Sequence, residues 1–179
     1  TDNRYLPIDY TMKIGTVTKV AIENLMAQMD DQEKSSRGAH LNLSPVEPGQ
    51  IAVVAVSPGF GISRIFASLG VSAIVEGGQT MNPSTEEIIH AFENLPTNRI
   101  VILPNNKNII LAAEQAARLA TGQTVVVIPT RSMPQGISAL LPYDPKGDLE
   151  TVIRAMLQAK DNVVTGEITT ATRSVELNG

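Results

Sequence analysis

Four apolar runs spaced along residues 51–160 constrain the fold of this chain more than any other feature of its sequence. Their residues are mostly β-branched and do not alternate with polar residues, which is typical of strands covered on both faces, as in a parallel sheet. Stretches with helical periodicity separate the runs. This order predicts an α/β fold, a three-layer sandwich with right-handed crossovers and a mainly parallel, four-stranded sheet. The predicted strands are Ile51–Val56, Ser72–Val75, Arg99–Leu103 and Thr124–Pro129.

Helix signals fill the intervals between the predicted strands. An i, i+3, i+4, i+7 apolar pattern follows the first strand, and Gly70 marks its end. Ser84, with Glu87 three residues later, predicts a capping box at the start of a second helix. The Ala-rich stretch 107–120 predicts a helix that lies close to the sheet. Asp148 is the expected N-cap of a final amphipathic helix.

The chain is expected to contain four segments. Residues 1–29 are interpreted as the tail of a preceding domain, and the polar residues 30–50, with Ser, Gly and Pro, as a linker. Residues 51–160 form the α/β lobe, and residues 161–179 begin a second, truncated lobe. Short β segments are expected at both ends, and the one at 163–177 is expected to be an exposed arm that pairs with another chain. Because the first residue is not Met, we expect a partial or processed chain.

Composition excludes several classes of function. The chain has no Cys and only two His, His40 and His90, so it has no disulfides, no thiol nucleophile and no thiolate or His-rich metal site. A net charge of -4 with 3% aromatic residues argues against nucleic-acid binding. No apolar run reaches the roughly 18 residues of a membrane span, and no signal peptide is visible. We therefore expect a cytoplasmic protein without an integral membrane segment.

The loops after the four predicted strands form the candidate site. The carboxyl ends of parallel strands meet at one edge of a sheet, where open α/β folds bind ligands. These loops carry hydroxyls, amides, glycines and two cations, but no His and no nucleophile–base pair. We expect them to bind an anion or a polar head group rather than to perform acid–base catalysis. The alternative is that they only cap helices and form turns. The candidate binding residues are Gln79, Thr80, Asn82, Ser84, Asn105, Asn106, Lys107, Asn108, Arg131 and Gln135.

A dinucleotide site is the other possibility at the first loop. Gly59 and Gly61 follow a strand and open a helix, and Glu76 ends the next strand, where a ribose-binding acid would lie. However, Arg64 occupies the position of the third glycine, and Pro58 lies inside the turn. A side chain at that position crowds the contact between helix and strand, so we do not expect a nicotinamide or flavin site.

Several sequence strings resemble one protein family. They are EGGQTMNPSTEEI at 76–88, ILPNNKNIILAAEQAA at 102–117, PTRSMPQGISALL at 129–141 and KIGTVTKVAIENL at 13–25. They resemble the carboxy-terminal region of the kinase subunit of bacterial fatty acid kinase, a family also described as dihydroxyacetone-kinase-like or Dak phosphatase. The resemblance covers about residues 11–177.

The resemblance implies that the reactive parts of the protein lie outside this chain. The family has an amino-terminal domain that holds ATP and magnesium, and a central domain with a catalytic Cys and a His-x-His-Thr motif. Neither is present here, so no cofactor and no catalytic residue are expected in this chain. The carboxy-terminal region is similar to DegV-type fatty-acid-binding proteins, of which 51–160 would be the first lobe. Residues 79–84 and 105–108 match the loops that hold the fatty acid carboxylate in that fold.

Two functions of different classes are open. The first is a non-catalytic docking or regulatory domain of an ATP-dependent fatty acid kinase, which binds the fatty-acid-binding subunit; the parent protein would phosphorylate a carboxyl group. The second is a small-molecule site for a phosphate or carboxylate, of the kinase or phosphatase kind, at the carboxyl edge of the sheet. A third interpretation is a domain that serves only in assembly, including assembly as a homo-oligomer.

Overall fold

The computed structural model describes residue 13 and residues 41–78 and 81–166. The β segments expected within 1–29 and 163–177 fall outside these ranges, except for 163–166, which are irregular. Within these ranges, no helix is long and apolar enough to cross a membrane. In chain order, the elements are β1 (Ile51–Ser57), α1 (Gly59–Ser68), β2 (Ala73–Glu76), α2 (Thr85–Phe92), β3 (Arg99–Leu103), α3 (Ile110–Leu119), β4 (Thr124–Val127), α4 (Met133–Leu140) and α5 (Leu149–Asp161).

The four strands form one sheet in the order β2-β1-β3-β4, and every pair is parallel. Ile100 of β3 lies opposite Ala52 of β1 on one side and Val125 of β4 on the other. The chain moves outward from β1 to β2 in one direction and from β3 to β4 in the other. The direction therefore reverses between β1 and β3, which is where open α/β sheets form their ligand crevice. The predicted α/β class and parallel sheet are confirmed.

Both faces of the sheet are buried, which explains why the strand sequences do not alternate with polar residues. In β1, Val53 and Ala55 face a cluster shared with α1, α4 and α5. Ala52 and Val54 face a second cluster shared with α2 and α3. Burial of each large side chain, such as Phe66, contributes about 1.5–3 kcal/mol. These two clusters are the interfaces of a three-layer sandwich.

The predicted helix boundaries are confirmed at several positions. The Ser84 hydroxyl accepts a hydrogen bond from the Glu87 amide (3.1 Å), and the Glu87 carboxylate accepts one from the Ser84 amide (2.7 Å). This is the capping box. The Asp148 carboxylate accepts a hydrogen bond from the Thr151 amide (3.0 Å) at the start of α5. Gly70 follows α1 with a φ of 95°.

Two boundaries differ from those expected from sequence. α3 begins at Ile110, three residues later than the Ala-rich pattern indicates, because the chain first makes a turn in which the Ile109 amide donates to the Asn106 carbonyl (3.1 Å). The loop after β4 ends at Ser132, since α4 begins at Met133. Gln135 therefore lies in the first turn of a helix rather than in a loop.

Candidate functional site

The loops that follow β1, β2, β3 and β4 meet at one end of the sheet, called here the carboxyl edge. Neighbouring loops contact each other in the order of the strands. Pro58, after β1, packs against Gly78, after β2, where a Cβ would lie 2.9 Å from the Pro58 ring. Asn105, after β3, joins β1 to the loop after β4 through hydrogen bonds. The carboxyl edge is thus one continuous surface rather than four separate loops.

Asn105 fills the position between β1 and β3, where the chain direction reverses. Its side chain is 2% exposed, and its Nδ2 donates to the Val56 carbonyl of β1 (2.9 Å). Its Oδ1 accepts a hydrogen bond from the Thr130 hydroxyl (2.8 Å). The same hydroxyl accepts a hydrogen bond from the backbone amide of Asn105 (2.9 Å). Asn105 has a φ of 56°, in the left-handed region that Asn tolerates better than most residues. These groups and Gly136 are called the Asn105 cluster below.

Gly136 makes room for this arrangement. A Cβ at Gly136 would lie 2.0 Å from the Asn105 Oδ1, so the first turn of α4 can approach the amide only without a side chain there. In the loop after β2, Gly77 is similarly close to Pro83, since a Cβ at Gly77 would lie 2.6 Å from the Pro83 ring. Glycine is required at these positions because of close approach.

A pair of buried hydroxyls, those of Ser57 and Ser63, joins the end of β1 to α1. The Ser63 hydroxyl donates within α1 to the Gly59 carbonyl (2.9 Å) and lies 3.2 Å from the Ser57 hydroxyl. Among the described residues, no buried side-chain nitrogen or oxygen lacks a hydrogen-bond partner. The buried side chains of the carboxyl edge, here called its inner layer, therefore have their hydrogen-bonding groups satisfied within the protein.

The outer layer is exposed and mixes amides, cations and apolar groups. The Asn106 Oδ1 accepts from the Asn108 amide (2.9 Å), and the Gln135 Oε1 accepts from the Arg131 amide (2.8 Å). Met81 is 59% exposed. Further exposed side chains of this layer include Pro58, Asn82, Lys107, Asn108, Arg131 and Pro134, and the carboxylates Glu76 and Glu86 are exposed at the same edge.

The helices that begin at this edge differ in how they are capped. α2 and α4, at the outside of the sheet, receive side-chain caps from Ser84 and Ser132. α1, which follows Pro58, has no side-chain cap and no acidic residue in its first turn, and the same is true of α3. The first N–H groups of α1 carry the positive end of the helix dipole, which favours an anion.

The titratable groups at the edge do not form an acid–base pair. The pKa of Glu87 is held below its ordinary value, first by the hydrogen bonds with the backbone and hydroxyl of Ser84, so this carboxylate serves the helix cap. No group of three or more His, Cys, Asp or Glu side chains suited to hold a metal occurs in the part of the chain that the structure describes. The arrangement can bind through amides and cations, and the one carboxylate–hydroxyl contact described at this edge, between Glu87 and Ser84, belongs to the helix cap.

The predicted site residues divide into distinct positions. Asn82, Lys107, Asn108 and Arg131 are exposed on the outer layer. Asn105 is buried, and Ser84 is committed to its helix cap. Asn106 and Gln135 each use one side-chain oxygen within the edge. Gln79 and Thr80 lie outside the described residues.

Thr130 and Gly136 were missed as members of the site. Thr130 is fully buried, and Gly136 contacts the same amide. A signal for Thr130 was available in the sequence, because it and Asn105 both follow apolar runs that were predicted to be strands. Their pairing, however, depends on β3 and β4 being adjacent, and the significance of Gly136 depends on where α4 is placed.

The sequence matches a family profile and several curated proteins. The sequence profile of the FakA-like carboxy-terminal region of fatty acid kinase matches residues 52–179. The chain is 42% identical over 173 residues to an uncharacterized protein of Staphylococcus epidermidis (strain ATCC 12228), which covers 96% of this chain and 31% of the relative. It is also 42% identical over 171 residues to an uncharacterized protein of Staphylococcus aureus (strain USA300), with the same coverage of 96% and 31%. The chain thus spans about a third of the length of these relatives.

Proposed function

Because the chain belongs to the FakA-like carboxy-terminal family of fatty acid kinase, we propose that it is a non-catalytic docking domain that binds the fatty-acid-binding subunit of an ATP-dependent fatty acid kinase. In this proposal, ATP and magnesium are held by another part of the parent protein, which phosphorylates the fatty acid carboxyl group in the cytoplasm. The α/β lobe would be of the DegV type, related to the subunit that it binds.

The two-layer construction of the carboxyl edge carries this proposal. The Asn105 cluster fills the space between β1 and β3 where a ligand crevice would otherwise form. The inner polar atoms are used within the protein, and the outer layer offers exposed amides, cations and Met81. A preformed, mixed surface of this kind suits recognition of another protein, since little has to be ordered on binding.

The two cations of the outer layer determine the kind of partner surface that fits. Lys107 and Arg131 are both exposed and follow neighbouring strands, β3 and β4. Among the described residues, neither forms a salt bridge. We expect them to face acidic side chains of the partner, where charge complementarity mainly raises the association rate and excludes wrong partners.

Charge reversal in the full-length protein tests this proposal. We expect Lys107→Glu and Arg131→Glu each to weaken binding to the purified fatty-acid-binding subunit by about tenfold or more, measured by surface plasmon resonance at low salt. Lys146→Glu, in the loop before α5, and Arg118→Glu, on the outside of α3, are matched controls and should change affinity less than about twofold. If all four variants bind equally well, the carboxyl edge is not the docking surface. If the full-length protein shows no binding to this partner, the docking function is wrong.

A small-anion site at the same edge is the second candidate. The uncapped start of α1 is the observation that favours it. Inorganic phosphate or decanoate should then raise the Tm of the native protein, and the rise should disappear in Asn106→Ala, Thr80→Ala or Lys107→Ala. An unchanged Tm over a wide range of both ligands would contradict this candidate.

A further inference from the structure

A cavity of about 200 Å³ lies at the amino end of the sheet, opposite the carboxyl edge. Its walls come from the segment before β1, the turn between α1 and β2, and the loop between α4 and α5. The segment is bonded to the turn, since the Ser44 amide donates to the Val71 carbonyl (3.1 Å). The loop is bonded to β1, since the Ile51 amide donates to the Pro145 carbonyl (2.8 Å). Backbone hydrogen bonds therefore hold the walls of the cavity in place.

Gly70 and Tyr143 shape the interior of this cavity. A Cβ at Gly70 would lie 3.5 Å from the Tyr143 ring and 3.9 Å from the Ser44 hydroxyl oxygen, so these three residues surround one space. The Tyr143 hydroxyl donates to the Ile51 carbonyl, which fixes the ring as a wall. Gly70 has a φ of 95°, which favours glycine and keeps the position without a side chain.

The lining of the cavity combines apolar surface with hydroxyls. Both ends of the Gln50 side-chain amide are bonded to Glu47 (3.1 and 3.0 Å). The hydroxyls of Ser44 and Ser72 also belong to the lining, and a hydroxyl can both donate and accept. None of the lining residues is charged, so an ionic ligand would lose its hydration there without meeting an opposite charge. The apolar part of the lining consists of Pro45, Val46, Ile51, Leu69, Pro145 and the Tyr143 ring.

We propose that this cavity binds a small neutral molecule with one ring and one hydroxyl, such as a phenol or a cyclic alcohol. An apolar cavity of about 150 Å³ accommodates benzene, so this cavity has room for a ring with one substituent. It is smaller than the roughly 300–1,000 Å³ of pockets for larger ligands, which excludes long acyl chains and nucleotides. The ring contacts Leu69 and Tyr143, and the hydroxyl bonds to Ser72, which is 8% exposed.

This site goes beyond the docking function, because it lies at the opposite end of the sheet from the carboxyl edge. The two proposals therefore stand or fall separately. Loss of binding at the amino-end cavity leaves the Lys107 and Arg131 surface unchanged.

Titration with phenol, followed by ¹H–¹⁵N NMR on the 179-residue chain, tests the proposal. We expect weak, saturable binding, with the largest chemical-shift changes at the amides of Gly70, Val71 and Ser72. Toluene, which has the ring without the hydroxyl, should shift the same amides. Benzoate, which adds a charge, should not bind at the same concentrations.

Two variants separate the hydroxyl from the space. Ser72→Ala should weaken phenol binding by about fivefold or more and leave toluene binding unchanged, since only phenol loses a hydrogen bond. Ser44→Leu should fill the cavity and abolish binding of both molecules. The matched control is Ser68→Ala, at the end of α1, where the exposed hydroxyl donates to the Ile65 carbonyl (2.8 Å). This control should bind phenol and toluene as the native protein does. The Ala113 amide shift reports whether the core is intact in each variant.

Three outcomes would overturn the proposal. The first is the absence of saturable shifts at the cavity amides with phenol. The second is binding of benzoate as tight as that of phenol, which would show that the cavity does not select neutral molecules. The third is unchanged phenol binding in both Ser72→Ala and Ser44→Leu, which would place the bound molecule elsewhere.

Discussion

The two ends of the sheet are closed in different ways. At the amino end, loop side chains bond the backbone at the start of β1: the Tyr143 hydroxyl donates to the Ile51 carbonyl (2.5 Å), and the Thr97 hydroxyl donates to the Gln50 carbonyl (2.5 Å). At the carboxyl end, Asn105 enters between two strands and is almost completely buried. Loop hydroxyls therefore cover the amino end, whereas a buried side chain between two strands fills the carboxyl end.

This difference divides the carboxyl end into a buried, hydrogen-bonded layer and an exposed layer. The Asn105 cluster supports the loops from below, so the exposed Lys107, Asn108 and Arg131 need not contribute to folding. Exposed charges of this kind usually contribute little to stability. Substitutions in the inner layer should therefore change stability, while substitutions in the outer layer should change binding only.

Gly136→Ala should have the largest effect, since the new Cβ would lie 2.0 Å from the Asn105 Oδ1. We expect a loss of about 3 kcal/mol in the free energy of unfolding, at the upper end for overpacking. Urea unfolding followed by circular dichroism measures it. The control is Gly61→Ala, in helix α1, where a Cβ would meet nothing within 4 Å and stability should be unchanged or slightly higher. Equal free energies of unfolding of the two variants would show that the Asn105 side chain shifts to make room for the new Cβ.

Thr130→Val should have the next largest effect, a loss of about 2 kcal/mol in the free energy of unfolding. The substitution leaves the backbone amide and the side-chain Oδ1 of Asn105 without their buried hydrogen-bond partner. Thr130→Ser keeps the hydroxyl and should recover most of the loss. Chemical denaturation of the three proteins at pH 7 compares them. A valine variant as stable as the native protein would mean that these two bonds can be replaced by water.

Tyr143→Phe tests the amino end and should cost about 1 kcal/mol, the contribution of one hydrogen bond. Burial raises the pKa of Tyr143 to about 12, so folding favours the neutral phenol. The stability linked to this shift is present below the unfolded pKa of about 10 and is lost as pH rises from there to about 12.

Thermal unfolding between pH 8 and 12 distinguishes the two proteins. The native protein should lose stability more steeply above pH 10 than the phenylalanine variant does. Parallel pH curves would show that the Tyr143 phenol titrates as it does in water.

Asp148→Asn should have the smallest effect, because asparagine also caps helices well. The pKa of Asp148 is lowered, first by the hydrogen bond from the Thr151 backbone amide and then by the one from its side chain. A lowered pKa means that the charged form stabilises the fold above the unfolded pKa, and that this contribution is lost as pH falls through the folded pKa. The Tm of the native protein should therefore approach that of the Asn variant as pH falls from 6 to 2. A Tm difference between the two proteins that does not change with pH would contradict the stabilising role of the ionised Asp148 carboxylate at the start of α5.

The sequence predicted the repetitive parts of the fold well. All four strands and the starts of α2 and α5 agree with the apolar runs and with the caps at Ser84 and Asp148. Such signals are local, since burial on both faces and capping are each written into a few neighbouring residues. The start of α3 was placed too early because helix propensity does not record the turn after Asn105.

The candidate site was predictable only in part. Sequence alone placed polar residues at the carboxyl edge, and Lys107, Asn108 and Arg131 are exposed there. It could not separate them from Asn105, which has the same chemistry as its neighbour Asn106 but is buried. That distinction depends on contacts with β1 and the loop after β4, 49 and 25 residues away along the chain.

What the amino-acid sequence determined by itself is the layered α/β fold and the absence of thiol chemistry, because periodicity and composition are properties of short stretches or of simple counts. What only the tertiary structure decided is which polar groups at the carboxyl edge are available. Strand order brings Val56, Asn105 and Thr130 together, and their hydrogen bonds fill the position where the chain direction reverses. Burial and pairing are long-range properties, so the same type of side chain can be buried in the fold at one position and lie nearer the surface at the next.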